Sequence, residues 1–369
     1  MKTHTLTPSS SSSPPPTRIS MQPAVEPDSL RATLLRRRSL SAVLLLAAVA
    51  LPCSLLYLAA TPADNWSPLS SSLRNSSAIS RHEEVELRRV LKAAAMPDKK
   101  TVILTTVNSA WCSPGSVLDL FMQSFKLGNN TAELLNHLVV VAVDEKGYKR
   151  CTQVHSHCFA LKTPGVDFSE QENFMSGMYL KMMWRRLQFL GVVLETGFDF
   201  IFTDTDIMWF RNPFPRFYPD GDFQIACDNF NGKPKDLNNK PNGGFMYVKS
   251  NNRTINFYKY WYSSKEKYPG INEQDVFNYI KKNSVTRGLG VNIRFLSTAY
   301  FGGFCQPSKD LNKVCTMHAN CCIGLERKTH DLGVMLEDWK KFMSLTPLER
   351  QSRKMSWSVP QNCSFAPLG

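Results

Sequence analysis

Strand-length apolar runs alternating with helix-period stripes predict an α/β fold for the body of this chain. Three observations carry that reading. Lys100–Val107 and Leu138–Val143 read as buried strands, and apolar runs of this kind mark strands covered on both faces. Gly177–Thr196 places Leu180, Met183, Trp184, Leu187 and Leu190 on one helical stripe, with Gly197 after it as a stop signal. Phe198–Phe202 is a third apolar run, and it leads straight into two carboxylates, Asp204 and Asp206. With 369 residues, 43% hydrophobic and 20% charged, the chain can build one large core or two of ordinary size.

The organisation reads in order from the N terminus. Residues 1–38 are Ser/Pro-rich, cannot form a core, and are expected to be a disordered cytosolic tail. Ser39–Ala60 contains no charged residue and, at ~1.5 Å per residue, spans about 33 Å as a helix, enough to cross a bilayer. Arg31 and Arg36–Arg38 precede it while the next basic residue is Arg74, so the positive-inside rule puts the N terminus in the cytosol and the body in a lumen. A cleaved signal peptide is the alternative. Residues 61–82 form a polar stem, and 83–369 the body. In the body Glu83–Ala95 and Ser116–Leu127 are helix candidates, followed after Gly177–Thr196 by strands at Asp222–Cys227 and Gly244–Lys249. A helix at Glu273–Lys282 and a strand at Val291–Phe295 complete the pattern.

Compartment and charge narrow the field. Nine of ten cysteines and all five Asn-x-Ser/Thr sequons (Asn65, Asn75, Asn129, Asn252, Asn362) follow the apolar segment, as expected of a disulfide-forming, glycosylated luminal body with one thiol left over. No Cys-x₂-Cys spacing suggests zinc. Net charge is +13, of which six basic and two acidic residues in positions 1–60 leave +9 for the rest. That charge is spread out, without a basic arm interleaved with aromatics, so no nucleic-acid partner is expected. A diffuse positive balance suits a nucleotide diphosphate or an acidic polysaccharide.

Asp204 and Asp206 close a buried strand, where unpaired charges are costly. A hard divalent cation, Mn²⁺ or Mg²⁺, would satisfy them; an acidic turn is the plainer reading. Lys181 and Arg185, spaced i, i+4, project together toward either a diphosphate or solvent. Thr105, Thr106 and Asn108 end the first strand, where open α/β sheets bind ligands, and Asp144 ends the second. Asn242, Gly243 and Gly244 let backbone approach a ligand closely, or form a hairpin. Gln274 and Asp275 open a helix, facing a substrate or capping their own helix. Trp209, Phe210 and Phe214 read as packing rather than sugar-stacking groups.

Four segments in order resemble one family. Phe-Thr-Asp204-Thr-Asp206 looks like the Asp-x-Asp of glycosyltransferases with the A fold. Asn242-Gly243-Gly244-Phe245-Met246 and Glu273-Gln274-Asp275-Val-Phe-Asn278 are similar to segments of glycogenin-like retaining transferases. His318 stands where that group places a third metal ligand. The overall likeness, over about residues 100–340, is to the plant nucleotide-diphospho-sugar transferase family that includes cell-wall arabinosyl- and xylosyltransferases; Leu104–Trp111, Trp184–Pro213, Gly243–Val248 and Met317–Cys322 carry it. The resemblance implies a single Rossmann-like domain with a mixed central sheet, located as a single-pass type II protein in the Golgi membrane. It implies a UDP-sugar donor, a saccharide or glycoprotein acceptor, and Mn²⁺ on Asp204, Asp206 and His318. Nucleotide-sugar contacts would come from Thr105, Thr106, Asn108, Lys181, Arg185, Asp204, Asn242, Gly243 and Gly244, with Gln274 and Asp275 at the reacting sugar. One departure stands out. The lysine those enzymes carry six residues after the histidine is Gly324 in this chain, and Lys328 lies ten residues on. Two rival readings are a non-catalytic sugar-binding protein on the same fold and a metal-dependent phosphodiester hydrolase, which would need more clustered acids and histidines.

Overall fold

The computed structural model describes residues 78–97 and 100–363. The expected tail, the expected membrane segment Ser39–Ala60 and residues 61–77 of the expected stem lie outside the described residues, among which no helix is long and apolar enough to cross a membrane.

The body opens with α1, Arg81–Ala94. It begins two residues before the sequence expectation because Ser80 and Glu83 form a reciprocal capping box: the serine hydroxyl accepts from Glu83 N, and the Glu83 carboxylate accepts from Ser80 N. Then follow β1 (Thr101–Val107), the short α2 (Ser109–Cys112), α3 (Val117–Leu127), β2 (Leu138–Ala142), α4 (Glu145–Val154) and β3 (Cys158–Ala160). The long α5 (Gly177–Glu195) hands on to β4 (Asp199–Thr203), β5 (Ile207–Trp209), β6 (Phe223–Asn229) and β7 (Lys240–Val248). The remaining elements are α6 (Asn252–Ser263), α7 (Glu273–Ile280), α8 (Ser284–Gly288), β8 (Ile293–Phe295), β9 (Phe301–Gly303), β10 (Thr316–His318), α9 (Leu325–Ser344) and α10 (Pro347–Ser352).

Seven strands form one mixed sheet in the order β3-β2-β1-β4-β7-β6-β8. The β3 to β4 half is parallel, β7 runs against both β4 and β6, and β8 is parallel to β6. The expected mixed α/β sheet is therefore present. Its alternating side chains sort into two cores. Val102, Leu104, Val139, Phe200, Phe202 and Met246 face α1, α5, α6 and α7. Ile103, Val107, Val140, Ile201 and Phe245 face α3 and α9. A second sheet, β5-β10-β9, shares that latter core. Trp209 and Phe210 are fully buried, as expected of packing groups; the Trp209 ring stacks on Phe125 at 4.5 Å and its indole N–H donates to Thr203 Oγ1 at 3.2 Å.

The thiols differ from expectation. Three bridges join Cys151 to Cys158, Cys305 to Cys321 and Cys322 to Cys363. Three thiols, not one, are left among the described residues: Cys112, Cys227 and Cys315, all buried. Each is enclosed in a different part of the core, and burial pushes the Cys112 and Cys315 thiols up to about 11, which makes them inert packing groups.

Candidate active site

Asp204 and Asp206 lie where the chain leaves the end of β4 and turns into β5. The Asp204 backbone N–H donates to Gly244 O at 2.7 Å, so β7 fixes the turn. Register brings in the histidine: β10 pairs antiparallel with β5, setting His318 opposite Ile207 and thus beside Asp206. His318 Nε2 is 3.1 Å from Asp206 Oδ1, and Lys328 Nζ, from the first turn of α9, donates to Asp206 Oδ2 at 2.5 Å.

One ligand atom from each of Asp204, Asp206 and His318 lies within 4.8 Å of the others. Gly244 borders the same point. A Cβ there would fall 2.6 Å from His318 Cε1 and 2.7 Å from Asp204 Oδ2, so only glycine lets β7 pass so close. Two carboxylates and an imidazole form a donor set for a small divalent cation, and the residues present fit one. Burial disfavours both carboxylate charges, but Lys328 and His318 overcome it at Asp206, whose carboxyl is held far below the ordinary range. At Asp204 burial prevails. The Asp206 charge adds to it, Arg186 only partly opposes it, and the carboxyl is raised.

A second polar ring surrounds these ligands. The buried Arg186 guanidinium bridges Asp204 Oδ1 at 2.8 Å and Glu273 Oε1 at 2.7 Å, and lies 4.8 Å over the Phe202 ring. Glu273 Oε2 is buried without a hydrogen-bond partner among the described residues. The Gln274 side chain is clamped: its Oε1 accepts from Gly243 N at 2.8 Å and its Nε2 donates to Asp228 Oδ2 at 3.3 Å. Asp228 Oδ1 accepts from Asn242 Nδ2 at 2.8 Å and from Asn320 Nδ2 at 2.7 Å, and burial raises its carboxyl. Asn242 Oδ1 accepts from Gly244 N, which ties this ring back to the glycine.

Of the residues singled out from sequence, Asp204, Asp206, Asn242, Gly243, Gly244, Gln274 and His318 converge. Others do not. Arg185 turns its guanidinium to Ala78 O, Lys162 O, Thr163 Oγ1 and Gln188 Oε1, and Lys181 lies exposed on the same face of α5, so neither meets the acids. Asn108 caps α2 and donates to Phe168 O and Glu170 O, which uses its amide on the fold. Thr105 is fully buried in β1, leaving half-buried Thr106 as the hydroxyl nearer the strand end. Asp275 exchanges hydrogen bonds with Asn272 at the N terminus of α7, the capping alternative. Asp144 likewise caps α4.

Arg186, Asp228, Glu273 and Asn320 were missed. A signal existed for two of them. Arg186 interrupts the buried stripe of Met183, Leu187 and Leu190, where a charge needs a buried partner. Asp228 comes directly after the mostly apolar run Phe223–Cys227, near the end of β6.

The sequence profile of the nucleotide-diphospho-sugar transferase family matches residues 133–332, a span that holds Arg186, Asp204, Asp206, Asp228, Gly244, Gln274, His318 and Lys328. The chain belongs to this family. It is a nucleotide-sugar-dependent glycosyltransferase, and the family implies a nucleotide-sugar donor and an acceptor. Two Arabidopsis thaliana relatives agree in extent. Uncharacterized protein At4g15970 is 49% identical over 290 residues, covering 78% of this chain and 76% of its own. Uncharacterized protein At1g28695 is 40% identical over 284 residues, covering 76% and 83%. Among solved structures, the galactosyltransferase LgtC in complex with donor and acceptor sugar analogs is 12% identical, with a TM-score of 0.39 over 68% of this chain and 99% of its own. Mouse xyloside xylosyltransferase 1 is 14% identical, with a TM-score of 0.38 over 60% and 98%. With overlays this weak, membership stands on the sequence matches.

Proposed function

We propose that this glycosyltransferase moves a sugar from a UDP-sugar to a saccharide or glycoprotein acceptor, with retention of anomeric configuration and with Mn²⁺ (or Mg²⁺) held by Asp204, Asp206 and His318. The observation that carries this is the convergence of those three ligands around the space Gly244 leaves open. When bound, the cation supplies neutralisation of the charge that develops on the departing diphosphate. The chain's own residues do the rest. Lys328 brings an ammonium to the same point and offers the diphosphate a second positive charge. Arg186 keeps Asp204 oriented and ionisable. Gln274, fixed at both ends of its amide, is a neutral group suited to the anomeric region. Glu273 Oε1 holds the other arm of the Arg186 guanidinium in place. Such a set suits front-face displacement, in which the leaving oxygen takes the acceptor's proton and no strong protein base is required.

The compartment proposed is the Golgi lumen, with Ser39–Ala60 as a type II anchor and a role in plant cell-wall or glycoprotein synthesis. Three disulfides support an oxidising compartment, and the exposed sequon asparagines Asn129, Asn252 and Asn362 are open to glycosylation.

The test uses the full-length chain with a panel of UDP-sugars. Chelation should stop donor turnover and Mn²⁺ restore it, and Asp206→Asn should lower turnover by about 10³-fold while secretion and disulfide formation persist. Full turnover in chelator, or an active Asp206→Asn enzyme, sinks the reading.

A further inference from the structure

The two cations of α5 that sequence spacing pairs, Lys181 and Arg185, line a different cavity. With Trp184 and Gln188 they recur at three- and four-residue intervals along one face of α5, while Arg186, about 100° further round, faces the acids. This cavity has a volume of ≈ 490 Å³, within the range of about 300–1,000 Å³ usual for ligand sites. Its wall is aromatic: Trp184 and Tyr262 meet edge to face at 6.3 Å, and Tyr268 continues the surface. Its charge is one-sided, with Lys181, Arg185 and Lys265 but no carboxylate among the lining residues.

Those three cations are not equivalent. The Arg185 fork is consumed by the fold. Lys265 Nζ donates to Tyr262 OH at 2.7 Å and lies 3.9 Å over the same ring, which leaves its charge in the cavity. Lys181 is exposed and makes no ion pair among the described residues. Aromatic walls suit the C–H faces of pyranose rings, and a point-charge ammonium suits a single carboxylate. A guanidinium fork would favour bidentate phosphate binding, but the Arg185 fork is already spent on the fold. The chain's own segment 61–77, which enters at Ala78 on the cavity rim, carries one Asp and one Arg and so offers no charge match. The cavity also reaches Gly270 and Ile271, which lead directly into Asn272, Glu273 and Gln274 at the active site.

We propose that this cavity binds a uronic-acid unit of an acidic glycan, anchoring the acceptor at a distance from the catalytic cleft. The acceptor role rests on the transfer reaction proposed above; the binding itself does not.

The experiment titrates the full-length chain with tri-galacturonic acid and with its methyl ester, following tryptophan fluorescence and calorimetry, and assays UDP-sugar hydrolysis on the same sample. The acid should bind at least about fivefold more tightly than the ester, Lys181→Ala should erase that difference, and Lys181→Arg should restore it. UDP with Mn²⁺ should not displace the acid, and donor hydrolysis should be unchanged by Lys181→Ala. Equal binding of acid and ester, indifference to Lys181→Ala, displacement by UDP, or no binding at all would each overturn the proposal. A chain that hydrolyses donor but ignores the acid refutes only this inference, whereas binding without hydrolysis refutes only the transferase mechanism.

Discussion

Arg185 and Arg186 are consecutive residues on one helix, and they lead opposite lives. Arg185 donates to two backbone carbonyls and two neutral side-chain oxygens, cementing the start of the body to α5. Arg186 is buried between two carboxylates, one of them Asp204 of the Asp-Asp-His cluster. Burial lowers Arg185, whereas the Asp204 and Glu273 charges beside Arg186 more than offset its burial and raise it. The lesson is that a cation's partners, not its position in a motif, decide its function: neutral oxygens make a structural clamp, and buried acids make part of a reacting centre.

The most damaging way to probe that contrast is Arg186→Ala. It would leave Asp204 and Glu273 buried without compensation, at a cost of about 3–5 kcal/mol in urea unfolding, together with loss of measurable transfer. Arg186→Lys sharpens the point, since one ammonium cannot serve both acids in the geometry of a fork, and activity should stay low even where stability partly returns. A variant of unchanged stability would show that the bridge is ornamental. Next in size is Gly244→Ala on the catalytic side. The new methyl displaces His318 or Asp204, so Mn²⁺ affinity should fall about 10–100-fold with the fold retained, read by metal titration. An unchanged manganese affinity would remove Gly244 from the site. The smallest effect belongs to Arg185→Ala. Its bonds are to neutral groups, so about 1–2 kcal/mol of stability should go while turnover changes less than about twofold. A large fall in turnover would return Arg185 to the diphosphate.

Much of the scaffold was legible because strands buried on both faces must be apolar throughout, and Leu138–Ala142 and Asp199–Thr203 nearly are. The acids at the end of β4 were legible for the converse reason, that charge at the tip of such a strand demands a partner. Helix α6 was overlooked although Thr254, Phe257, Tyr258 and Trp261 recur at helical spacing behind an Asn251 cap; its run of aromatic residues suits a strand as well as a helix. The orientation of α5 was not legible. Spacing shows that Lys181 and Arg185 share a face but not which face meets the sheet, and the neighbouring Arg186, sitting in the apolar stripe, was the better clue. His318 was identified by resemblance alone. Only the pairing of β5 with β10 supplies its physical reason, and long-range register of that kind leaves no trace in local sequence.

Cys321 and Cys322 are adjacent in the chain yet bonded in opposite directions, to Cys305 and Cys363, and they fall between His318 and Lys328. Asp331 reinforces the second bridge by accepting the backbone N–H groups of Gln361, Asn362 and Cys363. The two bridges thus brace the segment that carries the imidazole and ammonium facing Asp206. A chain kept in reducing surroundings would possess its paired aspartates but lack the staples that hold their companions in reach, so reductant is expected to lower turnover.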